Sequence, residues 1–92
     1  MNIEKFVWVF NGINGKFPSA VFSGKEIAEN WILSNRLTGV LTAYPLDLGV
    51  YNWAISNNYF SPKKEEHYSA EFIGRFSDAS QEHYHYEDGI ND

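Results

Sequence analysis

The pattern of apolar and polar positions is most marked between Phe6 and Phe22, where two apolar runs flank a turn. In the first run Phe6, Trp8 and Phe10 alternate with two valines, so a β-strand here would carry apolar side chains on both faces. A strand with this pattern is covered on both sides rather than half-exposed to water. We therefore predict a β-hairpin at the centre of the fold, with a cover needed on each face.

The turn of this hairpin can close in more than one way. The dipeptides Asn11-Gly12 and Asn14-Gly15 both tolerate the positive φ that a tight turn needs. A two-residue turn at the second dipeptide would pair Phe10 with Ser19. A turn at the first dipeptide would shift this register, and a wider loop using both dipeptides is a third solution. The sequence leaves the three open.

An amphipathic helix is predicted directly after the hairpin. Ser23 and Glu26 have the spacing of a capping box, and the helix should end near Asn35. An apolar stripe follows the cap and consists of Ile27, Ala28, Trp31 and Ile32. This helix is expected to fold back across one face of the hairpin.

A second helix is predicted from Leu48 to about Asn57, with Asp47 as its N-cap. Its inward stripe consists of Val50, Tyr51, Ala54 and Ile55. Trp53 falls near the edge of this stripe, so we expect it to be partly exposed. Asn57-Asn58 is the expected stop, because asparagine accepts the left-handed conformation.

Three further segments are predicted to be strands: Leu37–Tyr44, Glu71–Phe76 and Glu82–Glu87. The last of these alternates strictly, which favours a strand with Tyr84 and Tyr86 on the inner face, and a helix over residues 78–85 is the alternative. The order of the strands in the sheet, and whether the first returning strand is parallel or antiparallel, are left open.

The chain is thus expected to be a single α+β domain over residues 1–92. It should combine an N-terminal hairpin with two helices packed on a small, mainly antiparallel sheet of three or four strands. The polar segment 61–68 is expected to be a flexible loop, and residues 89–92 a frayed C-terminus.

Charge is distributed unevenly along the 92 residues, whose net charge is −5. Residues 61–92 carry eight acidic against three basic side chains, whereas residues 1–60 are neutral. The absence of a positive surface argues against nucleic-acid binding, and the acidic third suits a basic protein partner or simply solubility. No cysteine, signal-peptide pattern or membrane-spanning apolar run is present, so a cytoplasmic protein is expected.

One cluster in the sequence resembles a chemical site. His83, His85 and Glu87 would share one face of the last strand, where alternate imidazoles can approach a single metal ion, with His67 as a further candidate ligand. The alternative is that these side chains are polar only because their face of the strand is exposed to solvent. No catalytic or cofactor-binding motif is recognised, so an enzyme is the less favoured expectation.

The sixteen aromatic residues suggest a surface for a partner. The second face of the hairpin needs a cover, either the C-terminal aromatics or another molecule such as a second copy of the chain. Those C-terminal aromatics are Phe72, Phe76, Tyr84 and Tyr86. Tyrosine and tryptophan are favoured anchors at protein interfaces. The candidate partner-binding residues are accordingly Trp53, Tyr84, Tyr86 and Glu82.

Several blocks of the sequence, taken in order, resemble a known family. They are VWVFNG, FPSAVFS, AENWI, LTGVLTAYPLD, VYNWAI and FIGRFSDASQEHYHYE. Together they span about residues 7–87 and resemble a family of small bacterial proteins and domains of unknown function. The resemblance implies a compact bacterial α+β domain without an established activity, and it carries over no site residues.

By composition and fold class, the chain is also similar to small acidic immunity proteins that neutralise basic toxins. The expected function is therefore a non-catalytic protein-interaction module, with a basic protein or a second copy as its partner. The alternative expectation is a metal-binding or hydrolytic protein that uses His83, His85 and Glu87.

Overall fold

A computed structural model describes residues 5–92 of the chain, so residues 1–4 of the predicted domain lie outside the described part. Strands and helices alternate along much of this length. The elements are β1 (Phe6–Gly12), β2 (Ala20–Phe22), α1 (Lys25–Ser34), β3 (Gly39–Pro45), α2 (Val50–Ser56), a 3₁₀ helix (Glu65–Tyr68), α3 (Ala70–Gly74), β4 (His83–Glu87) and β5 (Ile90–Asn91).

The described strands form one five-stranded sheet in the order β2-β1-β3-β4-β5. Every neighbouring pair is antiparallel. The predicted α+β class is confirmed, and the open question of strand order is answered, because β3 lies antiparallel beside β1. The sequence predicts at most four strands, so the fifth strand is a difference.

The hairpin β1–β2 uses the wider loop among the three solutions. Phe10 pairs with Ala20, and the chain between Gly12 and Ala20 turns at Asn14, whose φ is 63°. Compared with a two-residue turn, the register is shifted by one residue. A shift of one residue moves every side chain of β2 to the opposite face of the sheet. Phe22 therefore lies on the side that the helices cover.

Helix α1 begins one residue later than predicted. Its N-cap is Gly24, which has no side chain to accept a hydrogen bond, so the predicted capping box at Ser23 is wrong. Ala28 and Ile32 are fully buried, as their stripe predicts, whereas Ile27 is 57 % exposed. The buried stripe is consequently narrower than the sequence suggested.

Helix α2 is shorter than predicted, and Asp47 does not cap it. Gly49 is the N-cap, while Asp47 adopts a left-handed turn with φ of 62°. The predicted stop is confirmed, because Asn57 is the C-cap and Asn58 follows with a φ of 62°.

Trp53 is buried rather than partly exposed, so the sequence prediction for it is wrong. Its ring lies 6.2 Å from that of Phe6 and 5.3 Å from that of Tyr59, measured between centroids. These two rings flank the indole from β1 and from the segment after α2. Helical periodicity within α2 could not reveal contacts supplied by two other segments.

The predicted strand at 71–76 is instead the short helix α3. The Ser69 hydroxyl caps it by accepting a hydrogen bond from the Phe72 amide at 3.1 Å. Phe72 belongs to α3 and Phe76 follows its C-cap Arg75, and both rings pack against Tyr51. The 3₁₀ helix lies within the segment predicted as a flexible loop, whose mobility stays a prediction.

The C-terminal residues form a second hairpin. The predicted strand at 82–87 is confirmed as β4, and β5 pairs with it where a frayed end was expected. Asp88 and Gly89 make the turn with positive φ values of 51° and 87°. Gly89 also donates a backbone hydrogen bond to the Leu37 carbonyl at 2.8 Å, which ties the turn to the connection between α1 and β3.

The main core lies between α1 and one face of the sheet. Its buried members are Phe10, Ala28, Ile32, Leu41 and Tyr86. Helix α2 packs on the same side through Trp53 and Phe6. The smallest dimension of the molecule is 19 Å, that of one sheet with one layer of helices. No helix within residues 5–92 is long and apolar enough to cross a membrane.

Strands β1 and β3 approach each other closely at Gly39. A Cβ atom on this residue would lie 2.2 Å from the Asn11 carbonyl oxygen and 2.7 Å from Cζ of Phe10. The Phe10 ring thus occupies the space that a side chain at position 39 would need. Glycine is required here by space and not by backbone conformation.

We expect Gly39→Ala to lower the free energy of unfolding by about 3 kcal/mol, because the added methyl overpacks a rigid part of the core. Chemical denaturation monitored by circular dichroism measures the change. Gly74→Ala is the matched control, since a Cβ there meets no atom within 4 Å. Equal losses of stability in the two variants would contradict this account.

Candidate binding surfaces

One face of the sheet lies opposite the helices, and we call it the open face. Strand register places ten side chains on it, none of which is buried. They are Val7, Val9, Asn11, Val21, Val40, Thr42, Tyr44, His83, His85 and Glu87. In contrast, the residues of β3 that point to the helix side beyond Gly39 are all buried. The open face is apolar at its centre and polar along β4.

The expected cover of this face by the C-terminal aromatics is wrong. Phe72 and Phe76 pack against α2 and Phe60 instead. Tyr84 and Tyr86 belong to β4 and point to the helix side, where Tyr86 enters the core. The C-terminal segment therefore extends the sheet at its edge and leaves the valines of β1 accessible.

The histidines of β4 lie on the open face, as the alternation predicted. The ring centroids of His83 and His85 are 5.6 Å apart, and both side chains are exposed. His83 Nδ1 lies 2.7 Å from the Gln81 carbonyl oxygen. Because a carbonyl can only accept, Nδ1 is the donor in this contact.

A complete metal site is not assembled in the described residues. Between positions 5 and 92, no group of three or more His, Cys, Asp or Glu side chains is arranged to hold a metal ion. His67 does not join the pair, because its Nδ1 accepts hydrogen bonds from the amides of Lys63 and Lys64, at 3.0 and 3.2 Å. The metal assignment to His83, His85 and Glu87 therefore stays a prediction without a third ligand in view.

The four predicted partner-binding residues differ in their accessibility. Trp53 and Tyr86 are 6 % and 4 % exposed, so most of each side chain is out of reach of a partner. Tyr84 is half-buried, and Glu82 is exposed. The Tyr84 hydroxyl donates a hydrogen bond to the Glu82 carboxylate, which joins these two residues at the surface.

Tyr86 links the sheet to α1 through a hydrogen bond. Its hydroxyl donates to the Glu29 carboxylate at 2.5 Å. Burial raises the pKa of Tyr86 well above its ordinary value, and the hydrogen bond and the negative charge of Glu29 raise this pKa further. The phenol thus stays neutral in the folded state and serves as a structural donor.

A cleft of about 230 Å³ opens on the helix side of the sheet. Trp8 lies along β1 between Phe6, which contacts α2, and Phe10, which contacts α1. The lining residues of the cleft are Phe6, Trp8, Ala43, Trp53, Ser80, Gln81 and Glu82. They come from four separate parts of the chain, so spacing in the sequence gives no signal for this site.

The chain matches a family model described as a domain of unknown function, DUF7710, over residues 7–92. The chain belongs to this family. The match begins at the second residue of β1 and runs through the β4–β5 hairpin, so all of the sheet of this DUF7710 domain except Phe6 lies within it. The predicted resemblance to a family of small uncharacterised domains is confirmed, whereas the bacterial origin stays a prediction.

No curated protein and no solved structure matches the chain.

We expect the free energy of unfolding to fall as pH rises above about 10, the range in which a tyrosine in the unfolded chain ionises. Tyr86 retains its proton in the folded state there, so the unfolded state binds fewer protons and stability decreases with pH. Tyr86→Phe should make this fall shallower, while costing about 1 kcal/mol at neutral pH for the lost hydrogen bond. Urea denaturation at a series of pH values measures both effects.

Tyr59→Phe is the control for this experiment, because Tyr59 is 53 % exposed. It should leave the slope against pH close to that of the parent protein. The proposed linkage fails if Tyr86→Phe and Tyr59→Phe give the same slope.

Proposed function

We propose that this domain is a non-catalytic protein-interaction module and that a basic protein docks on the open face of its sheet. The observation that carries the proposal is an apolar sheet face none of whose side chains is buried. Exposed apolar patches on a small domain mark sites of association, because burying them removes apolar surface from water.

The centre of the open face supports the hydrophobic part of such an interface. Val7 and Val9 of β1 lie beside Tyr44 and Thr42 of β3, which are their register partners. Val21 continues the patch on β2 and is 63 % exposed. Covering one such valine fully is worth about 1.5 kcal/mol, so a few of them can drive association.

The charge of the chain supports the choice of a basic partner. The net charge is −5, and the whole excess lies in residues 61–92. Glu87 belongs to the open face itself, at the end of β4. A negative domain attracts a positive partner over long distances and repels a second copy of itself. This chemistry is that of the immunity proteins to which the composition is similar, and a cytoplasmic location would agree with it.

The proposal is tested by a photo-crosslinking residue placed at Val21 in the source cells, with the same residue at Ile27 as control. Ile27 is 57 % exposed and lies on the opposite, helical side. The partner crosslinked from position 21 is then produced alone and titrated by calorimetry. We expect a basic protein whose affinity falls at least about tenfold with Val21→Glu, because a charge is buried in an apolar contact.

Ile27→Glu should leave this affinity unchanged, and added salt should weaken binding. The proposal is overturned if the partner is acidic, if Ile27→Glu weakens binding as much as Val21→Glu, or if the only partner at position 21 is a second copy. Sedimentation velocity at several concentrations identifies the last outcome.

The exposed pair of His83 and His85 supports the second candidate, a metal site. Zinc sites use three or four protein ligands, and two imidazoles alone bind weakly. We therefore expect calorimetric titration of the isolated domain with zinc to show no saturable one-to-one binding. Saturable binding that disappears in a His83→Ala/His85→Ala variant would establish the metal site instead.

A further inference from the structure

The cleft on the helix side of the sheet has aromatic walls. Phe6 and Trp8 contribute partly exposed rings from β1, and the buried Trp53 contributes its indole from α2. The faces of aromatic rings carry negative potential and attract cations, with tryptophan the most effective ring. Three such rings around one small volume favour a positively charged guest over a neutral one.

Several polar donors at the cleft are already engaged within the protein. The Gln81 side chain donates to the Ala43 carbonyl at 3.3 Å and accepts from the Asp78 amide at 3.1 Å. The hydroxyl and amide of Ser80 both donate to the Asp78 carboxylate. An anion would find neither hydrogen of Ser80 free, whereas a cation finds the exposed carboxylate of Glu82.

The size of the cleft restricts the guest further. At about 230 Å³ it is smaller than the roughly 300–1,000 Å³ of pockets that enclose drug-sized ligands. A compact head group of a few heavy atoms fits such a volume. A fully methylated ammonium group has this size and carries a positive charge. It has no N–H hydrogen that would need an acceptor.

We propose that this cleft binds a quaternary ammonium group, held by cation–π contacts with Trp8, Trp53 and Phe6 and by the charge of Glu82. The neighbouring surface already contains an interaction of this kind, in which Lys25 Nζ lies 3.8 Å from the centroid of the Tyr84 ring. Lys25 is outside the lining of the cleft. The site is on the face of the sheet opposite the open face, so it does not depend on the proposed protein interaction.

Choline is the probe, and its neutral isostere, in which carbon replaces the quaternary nitrogen, is the matched control ligand. Two of the three tryptophans line the cleft, whereas Trp31 packs between Phe10 and Phe22. We expect choline to shift the indole N–H resonances of Trp8 and Trp53 and not that of Trp31. The shifts should saturate with a Kd of roughly 1 mM, and the isostere should bind at least about tenfold more weakly.

Glu82→Gln should weaken choline binding about three- to fivefold, the effect of one exposed charge. Glu71→Gln is its control, because it makes the same change of net charge on the exposed surface of α3, outside the cleft lining. Trp8→Leu should weaken binding of choline while leaving that of the isostere unchanged, since leucine retains apolar area without a π face.

Equal binding of choline and the isostere would show a merely apolar cleft and overturn the proposal. So would equal effects of Glu82→Gln and Glu71→Gln, or shifts confined to Trp31. Absence of saturable shifts in the parent protein at high choline concentration would overturn it as well. A trimethyllysine-containing peptide in parallel with free choline distinguishes a protein-borne head group from a small molecule.

Discussion

The close approach of β1 and β3 at Gly39, beneath the ring of Phe10, is the constraint on which the rest of the fold depends. Phe10 is 1 % exposed, and its ring can lie over position 39 only because that position has no side chain. The ring then meets Trp31 of α1 edge to face at 5.7 Å. This contact helps to fix the central strand pair and the first helix relative to each other, and Tyr86, the partner of Gly39 on β4, completes the same core.

With α1 fixed there, the two faces of the sheet take different roles. Helix α2 joins α1 on the same side, and the C-terminal hairpin adds strands at the edge instead of a second layer. Gly89 secures this hairpin by its hydrogen bond to Leu37, which lies between α1 and β3. Helices α1 and α2 thus lie on one face of the sheet, and the other face is left accessible.

The sequence predicts correctly those helices and strands whose apolar pattern lies within one short segment. The alternation of β3 and β4 placed Tyr86 inward and His85 outward, and the stripe of α1 identified Ile32 as core. The sequence predictions are wrong where contacts with distant segments determine the local structure. Trp53 is buried by rings from two other segments, and the segment around Phe72 could not be assigned from its apolar spacing until the Ser69 cap selected a helix. The sequence does not indicate the cleft for the same reason, because the residues that line it come together only in the folded chain.

The two-sided apolar pattern of β1, the most prominent feature of the sequence, now has two separate explanations. The even-numbered residues of the strand face the helices, where Phe10 forms the core and Trp8 lines the cleft. The odd-numbered residues, Val7 and Val9, have no cover among the described residues and form the centre of the open face. Apolar residues on both faces are typical of a strand that is covered on both sides, but β1 is covered on one side only. This uncovered apolar surface is the physical argument for the proposed partner. Left in water it adds nothing to the stability of the isolated domain, whereas covering it on association is favourable.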